Sequence, residues 1–239
     1  MKRYIPFMTL VCMLIFFQVK GQDTPPGRTT SLIPTSIGIS GAFGVGFSHF
    51  NTGIVTEKNE KIKISAGGGM TVGLNFLTSI TRNWLLGNEI NYHFTSMMPQ
   101  VNNATGTFNN WNYCPTIQRV FPFSNNEMAI LLGAGAAVNM AAKFEFDATK
   151  IPGGAHNKYY YNSAIGPVAE IHYILWNAEG PLGANCGIRY TYITYKLQKV
   201  SSDGKVFTSD QLNSLSLPKD IFKPDGSGLD FIFSLLYSF

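Results

Sequence analysis

The last twelve residues constrain this chain most, since Gly228 to Phe239 read Gly-Leu-Asp-Phe-Ile-Phe-Ser-Leu-Leu-Tyr-Ser-Phe. Leu229, Phe231, Phe233, Leu235, Tyr237 and Phe239 share one face. Asp230, Ser234 and Ser238 share the other, where only Ile232 and Leu236 are apolar. A period of two is that of a strand. A wide apolar face that ends in Tyr237 and Phe239, at the end of the chain and after a polar segment, fits a strand of a transmembrane barrel. Such a strand turns an apolar band outward and marks its edges with aromatic residues.

The other end of the chain agrees with that reading. Lys2 and Arg3 precede an apolar run from Tyr4 to Phe17, which gives way to Gln18-Val19-Lys20-Gly21. This is the layout of a secretory signal peptide, residues 1–21, cleaved near Gly21. Its about fourteen apolar residues fall short of the roughly 20 that a spanning helix needs. Cys12 lies in the middle of the run, which excludes an acylated first mature residue. Residues 22–34, with Pro25, Pro26 and Pro34, read as a short flexible periplasmic leader, and residues 35–239 as the barrel domain.

Removing residues 1–21 takes Lys2, Arg3 and Lys20 from the 18 basic residues and nothing from the 14 acidic ones, so the formal charge falls from +4 to +1. No basic stripe remains to bind nucleic acid. The mature part has no apolar stretch of about 18 residues, which excludes a helical membrane protein. Alternating strands average to near-neutral hydropathy while still presenting an apolar outside, so a barrel stays open.

Eight strands follow from the alternation: 37–50, 62–77, 84–95, 111–123, 128–146, 162–176, 182–195 and 228–239. The second is expected to turn Ile62, Ile64, Ala66, Met70, Val72, Leu74 and Phe76 outward. The fifth is expected to turn Ile130, Leu132, Val138, Met140, Phe144 and Phe146 outward, with Lys143 and Glu145 inward. Pro115 implies a bulge or a misplaced boundary in the fourth strand. Short turns (78–83, 124–127, 177–181) alternate with long loops (51–61, 96–110, 147–161, 196–227), the asymmetry of an outer-membrane barrel. Thr208 and Gln211 have capping-box spacing ahead of a short helix at Ser209–Ser216. Cys114 and Cys186 fall on opposite faces, so no disulfide is expected.

The expected fold is therefore all-β, an antiparallel eight-stranded transmembrane meander barrel. The Gly-rich first strand, Asn88-Glu89-Ile90-Asn91-Tyr92, Gly187-Ile188-Arg189-Tyr190-Thr191-Tyr192 and the terminal Phe239 make the chain resemble small outer-membrane barrels of the OmpA/OmpX type and, within them, the PorT-like barrels of Bacteroidota. The resemblance implies a bacterial outer-membrane location, contact with outer-membrane lipid, and a role in secretion or surface assembly with an unidentified partner. It also implies that Tyr237 and Phe239 form the signal read by the barrel assembly machinery.

No Walker loop, His-Glu-x-x-His or Gly-x-Ser-x-Gly occurs, and no cofactor, metal or catalytic set is expected. Tyr92-His93-Phe94-Thr95 resembles the His-x-Ser pair of outer-membrane lipid A deacylases. It has Thr95 in place of Ser, and its His93 falls on the lumen phase; Ser48-His49 has no carboxylate to orient it. A lipid-modifying hydrolase and a narrow channel for small solutes are the alternatives to a non-enzymatic role. Eight strands enclose a lumen that side chains fill. Glu89, Glu170 and Arg189 lie at similar heights on inward phases, so they are expected to meet near mid-membrane with His172 and Asn91 as partners and to plug the lumen.

Overall fold

The structure is a computed structural model and describes residues 33–55, 60–96, 103–123, 127–152, 154–176, 180–208, 210–212 and 217–239. The expected signal peptide and all but the last two residues of the leader lie outside them. The strands are β1 (Ser36–Gly46), β2 (Phe50–Val55), β3 (Lys61–Ile64), β4 (Gly69–Thr81), β5 (Trp84–Ser96), β6 (Thr105–Pro122) and β7 (Met128–Asp147). They continue with β8 (His156–Tyr161), β9 (Ala164–Trp176), β10 (Leu182–Thr191), β11 (Leu197–Ser202), β12 (Lys205–Thr208) and β13 (Gly228–Ser238). A short helix, α1 (Lys219–Phe222), precedes the last strand.

Eight of these close a barrel in the order β1-β4-β5-β6-β7-β9-β10-β13, each antiparallel to its neighbours, with β13 returning to β1. The closing seam runs from Ser36 opposite Ser238 to Gly46 opposite Gly228. Phe239 continues it by donating its N–H to the Thr35 carbonyl at 3.3 Å. The period of two decides which face is which. Ile39, Phe43, Val72, Leu132, Ile165, Phe233 and Leu235 stand exposed on the outside, while Asn75, Asn91, Gln118, Asn185 and Ser234 are buried inside. The start of β1, the end of β13 and the short connections share one end of the barrel, here the turn end, and the long connections share the other, the loop end.

The outer face of β5 is interrupted by Asn88, which is buried because Tyr113 Oη donates to its Oδ1 at 2.8 Å. Its cross-strand neighbour is Pro115. The expected bulge is not there. Pairing with β7 keeps one register from Tyr113 opposite Val138 to Thr116 opposite Gly135, and the missing proline N–H falls between them. The register shift lies instead between Asn109 and Trp111, opposite Ala141, whose φ of 53° is left-handed.

That bulge corrects the fifth strand. Two β7 residues oppose one β6 residue, so the phase reverses beyond Ala141. Phe144 and Phe146 are buried inside, and Lys143 and Glu145 face out. The second expected strand is corrected in a similar way. Residues 61–64 pair with β2 as a separate hairpin, and Ile62, Ile64 and Ala66 are buried rather than turned outward. The chain then swings into β4 through Ser65–Gly69, where Ser65 Oγ accepts the Gly68 N–H at 3.1 Å and Gly69 takes a φ of 137°.

Three expected loops hold further strands, the first of them 51–61, which contains most of β2. Residues 147–161 contain β8, and residues 196–227 contain β11, β12 and α1. β8 and β11 extend the upper part of β7 into a sheet that rises past the rim, with β12 at its edge. The helix expected at Ser209–Ser216 lies mostly outside the described residues, although Thr208 donates its N–H to Gln211 Oε1 at 3.2 Å, half of the capping box.

A non-glycine residue in the left-handed region costs about 1–2 kcal/mol, and β-branching worsens it. Ala141→Gly is expected to raise unfolding stability in urea by up to about 1 kcal/mol and Ala141→Val to lower it by about 1–2 kcal/mol. Both variants are to be compared with the parent as refolded barrels in detergent.

Candidate functional site

The lumen brings Glu89, Glu170 and Arg189 together. Arg189 on β10 stands directly opposite Glu170 on β9, and Glu89 reaches in from β5 across the barrel. The guanidinium forks between them: Nη1 donates to Glu89 Oε2 at 2.6 Å, and Nε and Nη2 both donate to Glu170 Oε2 at 3.0 and 2.9 Å. Only the planar, multi-donor head of arginine bridges two carboxylates on opposite walls in this way.

Neutral amides take up other lone pairs of the carboxylates. Asn91 Nδ2 donates to Glu89 Oε2 at 2.9 Å, and Gln118 Nε2 donates to Glu170 Oε1 at 2.7 Å. His172 Nδ1 lies 3.1 Å from Asn185 Oδ1. Its Nε2 lies 3.3 Å from Glu170 Oε2, within ion-pair reach but without hydrogen-bond alignment. Room for these heads comes from small residues on the wall. A Cβ on Gly133 would sit 2.7 Å from Glu170 Cγ. Gly46 and Gly67 instead let backbone segments pack against each other at the loop end.

Asp230 belongs to this layer and was missed from the sequence. It stands opposite Arg189 on the other neighbouring strand, β13. Asp230 is on the inward phase of its strand, but its place beside Arg189 depends on the β10 to β13 register, which the long connection over 192–227 does not fix. Cys114 is also buried inside and Cys186 is exposed outside, both free.

Apolar layers lie on either side of the ionic one. At the turn end Ile33, Leu77, Leu85, Val120, Leu131, Ile174 and Leu236 fill the lumen, where charged residues alone were expected to close it. At the loop end the β2–β3 hairpin, upper β7, β8, β11 and α1 cover the mouth, burying Phe50, Phe108, Phe144, Tyr161, Tyr195 and Ile221 in one cluster. Tyr195 joins this cap to the polar lumen: its ring packs 5.2 Å from that of Phe108, and its hydroxyl accepts from Asn139 at 2.8 Å and Asn110 at 3.2 Å. Between Tyr195 and Arg189 remains a polar cavity of about 40 Å³, room for a few waters at most.

The residues considered for hydrolysis do not converge. His93 is buried in the lumen, Nε2 3.1 Å from the Gly68 carbonyl and Nδ1 3.3 Å from Asn110 Nδ2. His49 is exposed beyond the end of β1. Tyr237 and Phe239 stand exposed on the outer face at the turn end.

A second polar constellation lies on the outer face of the sheet above the rim. Glu145 Oε2 accepts from Lys143 Nζ at 2.6 Å, and its Oε1 lies 2.8 Å from His156 Nε2 and 3.1 Å from Lys158 Nζ. The Lys143 hydrogen bond, with His156 and Lys158 behind it, holds the Glu145 carboxyl down at about 2. Nearby, Lys199 Nζ sits 4.6 Å over the Tyr160 ring.

No family model and no curated protein matches the chain. Among solved structures it is similar to the outer membrane protein OprG from Pseudomonas aeruginosa, at 12% identity and a TM-score of 0.51, over 89% of this chain and 99% of that one. CarO from Acinetobacter baumannii is more distant in shape, with 13% identity and a TM-score of 0.42 over 88% and 100% of the two chains. At such identities the likeness to OprG is one of fold, and the class it defines is the eight-stranded outer-membrane β-barrel.

Removing one partner of a buried ion cluster leaves the others uncompensated and costs about 3–5 kcal/mol, whereas an apolar replacement of the whole cluster is often neutral. Arg189→Ala is therefore expected to lower barrel stability by about that amount, and Arg189→Met combined with Glu89→Gln and Glu170→Gln to recover most of it, measured by urea unfolding in detergent. For Glu145 the folded value is depressed, so its contribution is complete above the ordinary carboxylate range and is lost as pH falls through about 2. Protection of the β8 amides relative to their intrinsic exchange rate is expected to fall between about pH 4.5 and 2 in the parent and to change little over that range in Glu145→Gln.

Proposed function

We propose that this chain is a non-enzymatic bacterial outer-membrane protein with a closed barrel, acting through what it displays at the loop end in a structural, surface-interaction or secretion-associated role. The turn end then faces the periplasm and the sheet above the rim faces out. The observation that carries this reading is the filling of the lumen in three successive layers, an apolar plug, the Glu89–Arg189–Glu170 layer and the aromatic cap. A solute path would have to displace all three, and the polar cavity they leave is only about 40 Å³. The OprG likeness supports the membrane setting through its fold.

The loop-end segments are integral to the cap and do not hang from it. Val200 and Ile221 are buried with Phe50 and Tyr161, so residues 196–227 help to build the surface that a partner would meet. The PorT-like resemblance favours a secretion or assembly partner for that surface. A hydrolase reading gains nothing from His93, which is enclosed in the lumen away from lipid.

The test combines two measurements on the refolded protein. Unboiled and boiled samples are expected to migrate differently on a denaturing gel, the mark of an intact barrel. The same preparation is expected to give no steady conductance in planar bilayers. Steady nanosiemens-scale openings would replace this reading with a channel.

A further inference from the structure

The lysines above the rim stand in one place for a structural reason. On β7 the outward residues climb through Val138 and Met140, the bulge at Ala141 intervenes, and the next outward residue is Lys143. In the same row across the sheet follow Tyr160 on β8 and Lys199 on β11; in the row above, Glu145 is followed by Lys158. Lys143, Lys158 and Lys199 thus share one face with Glu145, which serves Lys143, His156 and Lys158, while Asp147, the next outward residue of β7, stands a row higher opposite His156 and accepts from Thr149. The three lysines outnumber the one carboxylate of those two rows, and Lys199 is held above the Tyr160 ring.

The apolar belt lies immediately below, ending at Met140 on β7, Ile165 on β9 and Tyr192 just beyond β10. Three residues of tilted strand separate Met140 from Lys143, a rise of roughly 7 Å. The polar headgroup layer extends roughly 5–8 Å beyond the hydrocarbon on each side. Lys143 and Lys199, in this row, therefore fall at the height of lipid phosphates and Lys158 one row above them, on a face continuous with the lipid-facing wall.

We propose that the face formed by Lys143, Lys158 and Lys199 binds the phosphate groups of the lipid leaflet at the loop end, so that anionic lipid is enriched on this side of the barrel. This rests on the outer-membrane reading above. The sheet β7–β8–β11 is the part of the wall that continues above the bilayer, and its outer face, unlike its inner one, has no cap residues against it. Salt weakens such an attraction, because the groups lie at the surface within reach of counterions.

Trp111 provides the probe. It stands on the outer face of β6 opposite Met140, whereas Trp84 and Trp176 lie near the turn end. In a Trp84→Phe, Trp176→Phe background, the barrel is reconstituted in phosphatidylcholine vesicles containing increasing fractions of phosphatidylglycerol. Bromine is placed on the tails of one lipid or the other. Quenching of Trp111 is expected to give a relative association constant for the anionic lipid roughly fivefold above that for phosphatidylcholine, falling towards one in high salt. Lys143→Gln, Lys158→Gln and Lys199→Gln together are expected to bring it to about one, and Glu145→Gln to raise it. Heat-modifiable migration checks that each variant is folded. Equal quenching by the two lipids in the parent, or an unchanged preference in the triple variant, overturns the proposal and leaves the membrane reading intact. Absence of quenching by either lipid overturns both.

Discussion

Everything in this structure depends on the closure of β13 onto β1. A strand that faces hydrocarbon has no water for its backbone N–H and C=O groups, so a sheet in that setting must have no free edge. The ring of eight strands meets this condition, and the pairing of residues 36–46 with 228–238 completes it. The outward set of β13 has little freedom as a consequence: Phe231, Phe233 and Leu235 are exposed on the outer face, the one that barrels of this class turn to lipid.

Closure with eight strands then dictates the inside. The lumen is too narrow to remain a water-filled pore and too wide to be left empty, so side chains must fill it. Those available alternate with the lipid-facing set and are mostly polar, which makes satisfaction of buried groups the controlling problem. Arg189 addresses it at the widest demand by joining Glu89 and Glu170 from opposite walls, while Asn91 and Gln118 supply neutral donors. Such a cluster adds little net stability over an apolar filling, because desolvation offsets most of the attraction. What it does fix is geometry, since the fork of Arg189 is met only when three strands stand at one relative height.

The sequence was legible where each strand has lipid on one side and lumen on the other. There a large apolar residue means outward and a small or polar one means inward, and β1, β5, β9, β10 and β13 follow the alternation. The rule fails beyond the rim because the surroundings change places. Above the barrel the outside is solvent and the inside is the aromatic cap, so Ile62, Ile64, Phe144 and Tyr161 turn inward although they resemble belt residues. No propensity announces that exchange; it shows only as a bulge at Ala141 and a bend at Gly69. At the other end Leu77, Leu85, Ile174 and Leu236 sit on the inward phase because they pack against one another as the apolar lower plug. Glu89, Glu170 and Arg189 were found by height along their strands. Asp230 needed the cross-strand register as well.

The same exchange of faces measures the belt. The outward set runs from Ile130 to Met140 on β7, from Ile165 to Leu175 on β9, from Leu182 to Tyr192 at and just beyond β10, and from Leu229 to Phe239 at the end of the chain. Each span takes in eleven residues, or ten steps along the strand. At about 3.4 Å per step and a tilt of roughly 40°, ten steps rise about 26 Å, close to the roughly 25 Å apolar band of such barrels. The boundaries carry their own markers: Lys143 appears directly beyond the upper limit, and Arg119 lies over Trp84 and Phe121 at the lower one, 5.6 and 5.5 Å from their ring centres. Ala141 is the first residue of β7 past the belt, so the reversal of phase falls where lipid gives way to water. The bulge therefore works as an orientation device, converting a sheet whose apolar face looks out at lipid into one whose apolar face looks in at the cap, without breaking the strand.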